Sequence, residues 1–155
     1  MRRADRAVTD PAQLKEILDA CRVCRVAYRD EEGLAVVPLN FGYRLDGGRL
    51  CLYFHSAKAG RKVRAFSRGA DAAFELDCGH RLLEGATGCG YSYAYRAIMG
   101  TGRIAPIEDA LEKAEALAVL MRCQTGRDFS FSPAQAEAVA VFRLDATQWT
   151  GKEHL

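Results

Sequence analysis

The chain has 155 residues, 49% of them hydrophobic and 27% charged, with a formal net charge of +2. That length suits one domain around one core, and the balance is that of an ordinary globular protein rather than a disordered or fibrous one. So small a charge argues against nucleic acid, because Arg2, Arg3 and Arg6 have no interleaved aromatic residues on which bases could stack. No apolar run approaches the roughly 18 residues of a membrane span, and the first residues lack the three regions of a signal peptide. The expectation is a cytoplasmic protein with neither membrane nor nucleic acid as partner. No repeat or composition break divides the chain, which predicts a single domain over residues 1–155.

In chain order, Asp10 is placed to cap a first helix, with Pro11 at its first position and Gln13 completing a capping box. Leu14, Ile17, Leu18 and Cys21 then recur at helical spacing. Residues 23–28 read as a strand, turned at 30–33 into a second over 34–43. Asp46-Gly47-Gly48 turns that into a third over 50–54, so these three should form an antiparallel meander. A basic turn leads to a short helix with Val63 and Phe66 on one face. Residues 72–76 form a fourth strand, 78–90 a glycine-rich loop, and 91–104 a long fifth strand. The clearest helix is 109–124, with Leu111, Ala114, Leu117, Leu120 and Met121 expected inward and Gly126 placed to stop it. Ser132-Pro133 starts a short helical turn, and 138–144 is the last strand. Six antiparallel strands with helices at the margins predict a β-rich α+β fold, a small barrel that removes its sheet edges by closing.

Six cysteines do not make a metal site here. Cys21 and Cys24 form a C-x-x-C, but Cys51, Cys78, Cys89 and Cys123 are scattered, and His55, His80 and His154 are far apart. A structural zinc site needs a second C-x-x-C or paired histidines. Without an export signal, reduced thiols serving as small apolar residues are the expectation, and no metal is predicted.

Two segments carry chemistry. The first is the turn after the third strand, where Ser56, Ala57 and Gly60 precede a helix opening with Arg61 and Lys62. Amides at a helix N-terminus point at an anion, and an arginine grips two of its oxygens. That reading stands beside a plainer one, an exposed basic turn. The second is Pro38, which has no N–H and interrupts any ladder it joins, so it belongs at an edge or a bulge. Asn40 and Gly42 share its face, and a broken ladder leaves amides free to bond something flat.

VVPLNFGY followed by LYFHSAKAGRK resembles the FMN-binding split β-barrel proteins related to pyridoxamine 5′-phosphate oxidase, and most closely the nitroimidazole-resistance (Nim-type) branch. Asp77-Cys78-Gly79-His80, Tyr91-Ser92-Tyr93-Ala94-Tyr95-Arg96, Gly100-Thr101-Gly102-Arg103 and Thr150-Gly151-Lys152 follow in the expected order, so the resemblance covers nearly the whole chain. It implies a six-stranded antiparallel split β-barrel with FMN as cofactor. Pro38, Leu39, Asn40 and Phe41 would lie along the isoalloxazine ring, Phe54, His55 and Ser56 under the ribityl chain, and Arg61 and Lys62 at the phosphate. It also implies a homodimer with FMN at the interface, so that Tyr95 and Arg96 serve the partner's cofactor.

His55 matches a histidine position of the Nim-type branch beside the flavin's reactive face. It reads either as packed on the cofactor or as a catalytic proton donor, since imidazole titrates near neutral pH. Tyr91, Tyr93 and Tyr95 alternate along one strand face and read as interface packing. The stretch after Trp149 is too short to match the C-terminal segment of true pyridoxamine phosphate oxidases, so vitamin B6 oxidation is not expected. The activity implied is transfer of electrons from NAD(P)H through FMN to a small electron-poor acceptor, such as a nitro-aromatic 5-nitroimidazole. The alternatives are a flavin-binding or flavin-sensing protein without turnover, or the same barrel holding haem or deazaflavin. No Rossmann-type glycine fingerprint is present, so a nicotinamide would visit only transiently.

Overall fold

The structure, a computed structural model, describes residues 3–155. After one turn of 3-10 helix at Ala4–Arg6, the elements are β1 (Ala7–Val8), α1 (Pro11–Ala20), β2 (Val23–Asp30), β3 (Gly33–Asn40), β4 (Gly42–Asp46) and β5 (Arg49–Ser56). They continue as α2 (Arg61–Phe66), β6 (Ala70–Leu83), β7 (Ser92–Pro106), α3 (Ala110–Thr125), α4 (Pro133–Glu137) and β8 (Ala140–His154). The strands form one antiparallel sheet in the order β3-β2-β6-β7-β8-β5-β4, with β1 joining β8.

The expected split-barrel fold is what forms, with two corrections to its strands. There are eight rather than six, and the sheet does not close, because β3 and β4 are its two free edges. The strand expected over 34–43 is broken at Phe41. There the phenyl ring turns into the core, only 1% exposed, and the Phe41 carbonyl accepts a bond from Gln124 Nε2 at 2.8 Å instead of joining a ladder. Gly42 then lies directly beneath α3, where a Cβ would stand 2.4 Å from Leu120 Cα. The meander therefore forms as two hairpins, β2–β3 and β4–β5, joined by a bend. β6 runs through the segment expected to be a loop from 78 and reaches Leu83, with a register shift between Cys78 and Arg81 where Gly79 has φ +70°. β8 likewise extends past 144 to His154.

Local signals decide the helix ends. Asp10 accepts from the Gln13 amide at 3.2 Å with Pro11 following. Asp109 accepts from the amides of Leu111 and Glu112, both at 2.9 Å, and Gly126 at φ +70° ends α3. Ser132 and Gln135 complete a capping box on α4. The inward face of α3 differs from expectation. Leu111 is 66% exposed, and the buried residues are Lys113, Ala116, Leu117 and Leu120. Lys113 is sheltered because its Nζ meets Glu137 of α4 at 2.9 Å, and a buried ammonium is tolerated only when so paired.

The main core gathers Phe41, Leu52, Phe54, Phe66, Phe142 and Ile98 inside the curled sheet. Phe66 anchors α2 there, edge-on to Tyr28 at 4.9 Å and to Phe142 at 5.3 Å, the arrangement aromatic quadrupoles favour. A smaller cluster of Tyr53, Ile107, Leu117 and Val141 seats α3 on the sheet's outside. No helix of the described residues is long and apolar enough to cross a membrane.

Candidate functional site, a split between two strand edges

The break at Phe41 opens the split. β4 ends at Gly42, opposite Tyr53, so Phe54, His55 and Ser56 have no neighbour on that side of β5. β3 is the other free edge. In an antiparallel pair, successive residues turn their N–H and C=O alternately toward the partner strand and away from it. The β2–β3 hairpin closes on the Asp30–Gly33 pair and keeps its register unbroken past Pro38. Even-numbered residues of β3 therefore turn their main chain to the open side, where the missing N–H of Pro38 costs no ladder bond. The amides of Leu34, Val36 and Asn40 face the same way.

The residues expected at a flavin thus fall into three groups. Pro38, Leu39, Asn40 and Phe41 lie on one side of the split, and Phe54, His55 and Ser56 on the other. The side chains of Phe41 and Phe54 belong to the core, with Phe54 wholly buried, so only their main chain can serve a ligand. Asn40 is held by an Nδ2 bond to the Arg22 carbonyl at 3.0 Å. His55 is exposed at the end of β5, paired across the sheet with Val141. Ser56 donates to the Ala57 carbonyl at 2.8 Å, turning the chain toward α2.

Arg61 and Lys62 open α2 after Gly60, whose φ of +123° is a conformation that favours glycine. Lys62 is half-buried and meets no carboxylate among the described residues. Arg61 is already engaged. Its Nε and Nη2 donate to the two oxygens of Asp30 at 2.8 and 2.7 Å, and Nη2 also reaches the Gly33 carbonyl at 3.3 Å. The guanidinium holds the Asp30 carboxyl below its ordinary range, and Asp30 in turn raises the Arg61 pKa. Nothing in the sequence signalled this role for Asp30, since its partner lies across the fold and the residue reads simply as the first of a turn.

Tyr95 and Arg96 stand apart from these groups. They sit on β7, where Arg96 pairs with Cys78 of β6 and Tyr95 falls at the register shift; on the other side they pair with Glu153 and His154 of β8, and β6 and β2 stand between them and β3. Lys152 lies 5.9 Å from the Tyr95 ring centroid. Burial opposes ionisation of the Tyr95 phenol, but bonds from Arg6 and Lys152 bring its pKa below the ordinary value. Arg96 faces Glu153 at 3.5 Å and Glu16 at 3.7 Å.

All six cysteines are free. Cys21 and Cys24 are buried, and burial pushes the Cys24 thiol up to about 12. Among the described residues no three His, Cys, Asp or Glu side chains cluster as metal ligands.

A half-open antiparallel barrel that leaves β3 and β4 as free edges defines the split-barrel class, and the comparisons specify the family. The sequence profile described as pyridoxamine 5′-phosphate oxidase matches residues 10–153, and the chain belongs to that family. Among solved structures it is similar to a candidate 5-nitroimidazole antibiotic resistance protein from Bacteroides thetaiotaomicron. That likeness has 33% identity and a TM-score of 0.78, covering 95% of this chain and 86% of the other. The flavocytochrome Anf3 from Azotobacter vinelandii shares the fold at 24% identity and a TM-score of 0.78, over 100% of this chain and 72% of that one. An FAD- and haem-binding protein from Mycobacterium smegmatis does so at 20% identity and the same TM-score, over 96% and 73%. No curated protein gives a significant match.

Proposed function

We propose that this chain is an FMN-dependent oxidoreductase. The observation that carries the reading is the split itself, two unpaired strand edges that end beside a turn rich in hydrogen-bond donors. The donor set fits the cofactor. Ser56, Arg61 and Lys62 offer a hydroxyl and two cations to a phosphate, while the open main chain of β3 offers amides and carbonyls to a flat heterocycle. Bound there, FMN supplies reversible two-electron chemistry between NAD(P)H and a small electron-poor acceptor such as a 5-nitroimidazole. The protein's part is to orient and to handle protons. Pro38, Leu39, Asn40 and Phe41 would hold the ring through their main chain, with Phe54, His55 and Ser56 beneath the ribityl chain. His55, exposed where β5 meets the turn, would carry a proton to the acceptor through its imidazole.

A second copy completes the proposal. Tyr95 and Arg96 do not reach the split of their own chain, so a cofactor contact from them requires a partner. The outward sheet face supports one. Val36 of β3 aligns across the strands with Ala27, Ala73 and Thr101, and Leu34 and Val36 are 74% and 67% exposed. Such a strip suits a two-fold interface.

The test is anaerobic. Purified protein should be yellow and bleach under NADH or NADPH, and a panel of nitro-aromatic and other acceptors should restore the colour. A yellow protein that resists every reductant is a flavin-binding protein without turnover, and an intense haem absorption band overturns the flavin reading.

A further inference from the structure

We infer that the cleft between α1, the β4–β5 hairpin and the end of α3 is a second ligand site, separate from the split, and that it takes a planar aromatic carboxylate. The cleft encloses about 1170 Å³ and shares no residue with the flavin set. Its walls are apolar and aromatic, with Leu14 from α1, Leu45 and Tyr43 from β4, and Trp149 from β8. The indole is fixed, because its Nε1–H donates to the Gly48 carbonyl at 3.1 Å. An aromatic ring lining a roomy apolar cleft is a stacking surface for a flat ligand.

The charges select an acid. The one carboxylate on the wall, Asp19, accepts from Tyr43 at 2.6 Å and pairs with Lys15, so its charge is answered locally. Arg22 also lines the cleft, and its guanidinium meets only the main-chain carbonyls of Asp19 and Cys21. No carboxylate pairs with it among the described residues. Arg122 adds a second cation whose Nε bonds Asp128, a residue outside the cleft wall. Arg22 therefore leaves one positive charge on the wall without a carboxylate, held in a planar fork, the geometry that matches a carboxylate.

Trp149 is the only tryptophan, so its single indole N–H signal in a ¹H–¹⁵N spectrum reports on this cleft alone. Purified protein titrated with 2-naphthoate should shift that signal saturably, and 2-naphthalenemethanol, the neutral analogue, should bind more weakly. Arg22→Gln should weaken naphthoate about 10-fold, as loss of a charge-assisted bond does, and leave the alcohol unchanged. Arg22→Lys should recover part of the loss, and Arg122→Gln should weaken naphthoate in the same sense. Saturating FMN should not displace the acid. An indole signal that does not move, equal affinity for acid and alcohol, or displacement by FMN would each overturn the assignment. Because the flavin itself is not the reporter, a colourless protein that still binds naphthoate would leave this site standing and remove only the flavin reading.

Discussion

Arg61 and Asp30 tie the start of α2 to the β2–β3 hairpin through two parallel bonds, in a spot where the arginine is 34% and the aspartate 14% exposed. The residue best suited to grip a phosphate is thus already held by a carboxylate. A phosphate bound at the turn, as proposed, would have to share or displace that carboxylate.

Asp30→Asn should therefore tighten FMN rather than loosen it. The amide oxygen can still accept from the Glu32 amide, which now bonds Asp30 at 2.9 Å, but it no longer competes as an anion for Arg61. Fluorescence titration should show affinity raised by up to about 10-fold, the scale of one charge-assisted bond. Lys62→Ala should lower it by a similar factor, and riboflavin, lacking the phosphate, should be indifferent to both changes. An Asp30→Asn variant that binds FMN less well would remove Arg61 from the phosphate site.

The same pair makes stability fall in acid. The bond from Arg61 is the first cause of the lowered Asp30 pKa. A carboxylate with a depressed folded-state pKa contributes its full stabilisation above its unfolded value, about 3.9. That contribution disappears as pH falls through the lower folded value. Thermal melts of wild type and Asp30→Asn, compared in cofactor-free protein, should differ at pH 7 and converge as the pH falls below the unfolded value and through the lower folded one. A difference that persists in acid would show that the pair does not act through the carboxylate's charge.

His55→Ala separates proton transfer from packing. As a proton donor, it should leave FMN binding and reduction by nicotinamide near normal while slowing delivery to the acceptor by about 10²–10⁴-fold. Stopped-flow measurement of the two half-reactions on flavin-loaded protein decides the matter. An unchanged acceptor step per bound flavin would leave His55 as a cofactor contact only.

Light scattering should give twice the 17.1 kDa chain mass, and Val36→Glu should reduce it to one. Placing a charge in an apolar interface strip leaves it unpaired when the surfaces meet. A monomeric wild type that still holds FMN would remove Tyr95 and Arg96 from the site.

Gly42→Ala tests the close approach beneath α3. The added Cβ meets main-chain atoms of Leu120 at 2.4 and 2.6 Å, which cannot rotate away as a side chain can. Overpacking of this kind typically costs about 1–3 kcal/mol, or about 2–4 °C in Tm per kcal/mol in a chain of this size. An unchanged Tm would show that α3 rides loosely on β4.

Much of this architecture is legible because its cues are local. Asp10-Pro11, Gly126 and the Ser132–Gln135 box each act within a few residues of the end they define. The family, too, is legible through motifs whose residues lie close together in the sequence. What stayed hidden depends on distant partners. Phe41 continues a plausible strand pattern, and only the backbone of α3 pressed against Gly42 makes the chain bend there. Lys113 looks like an exposed helix residue until Glu137 arrives to pair with it. β6 and β8 run past their apolar segments because β7 supplies ladder partners for their polar ends.

The free edge of β3 also bears on how the protein behaves at high concentration. β4, the opposite edge, is covered by α3, whereas β3 offers outward amides beside the apolar side chains of Leu34 and Val36, a template for adding a foreign strand. Pro38 removes one donor from the middle of that row. An incoming β-strand would lose a ladder bond there, part-way along the edge. The residue that marks the proposed cofactor site thus also guards the chain against polymerising through it, and Pro38→Val would trade ligand selectivity for a tendency to aggregate.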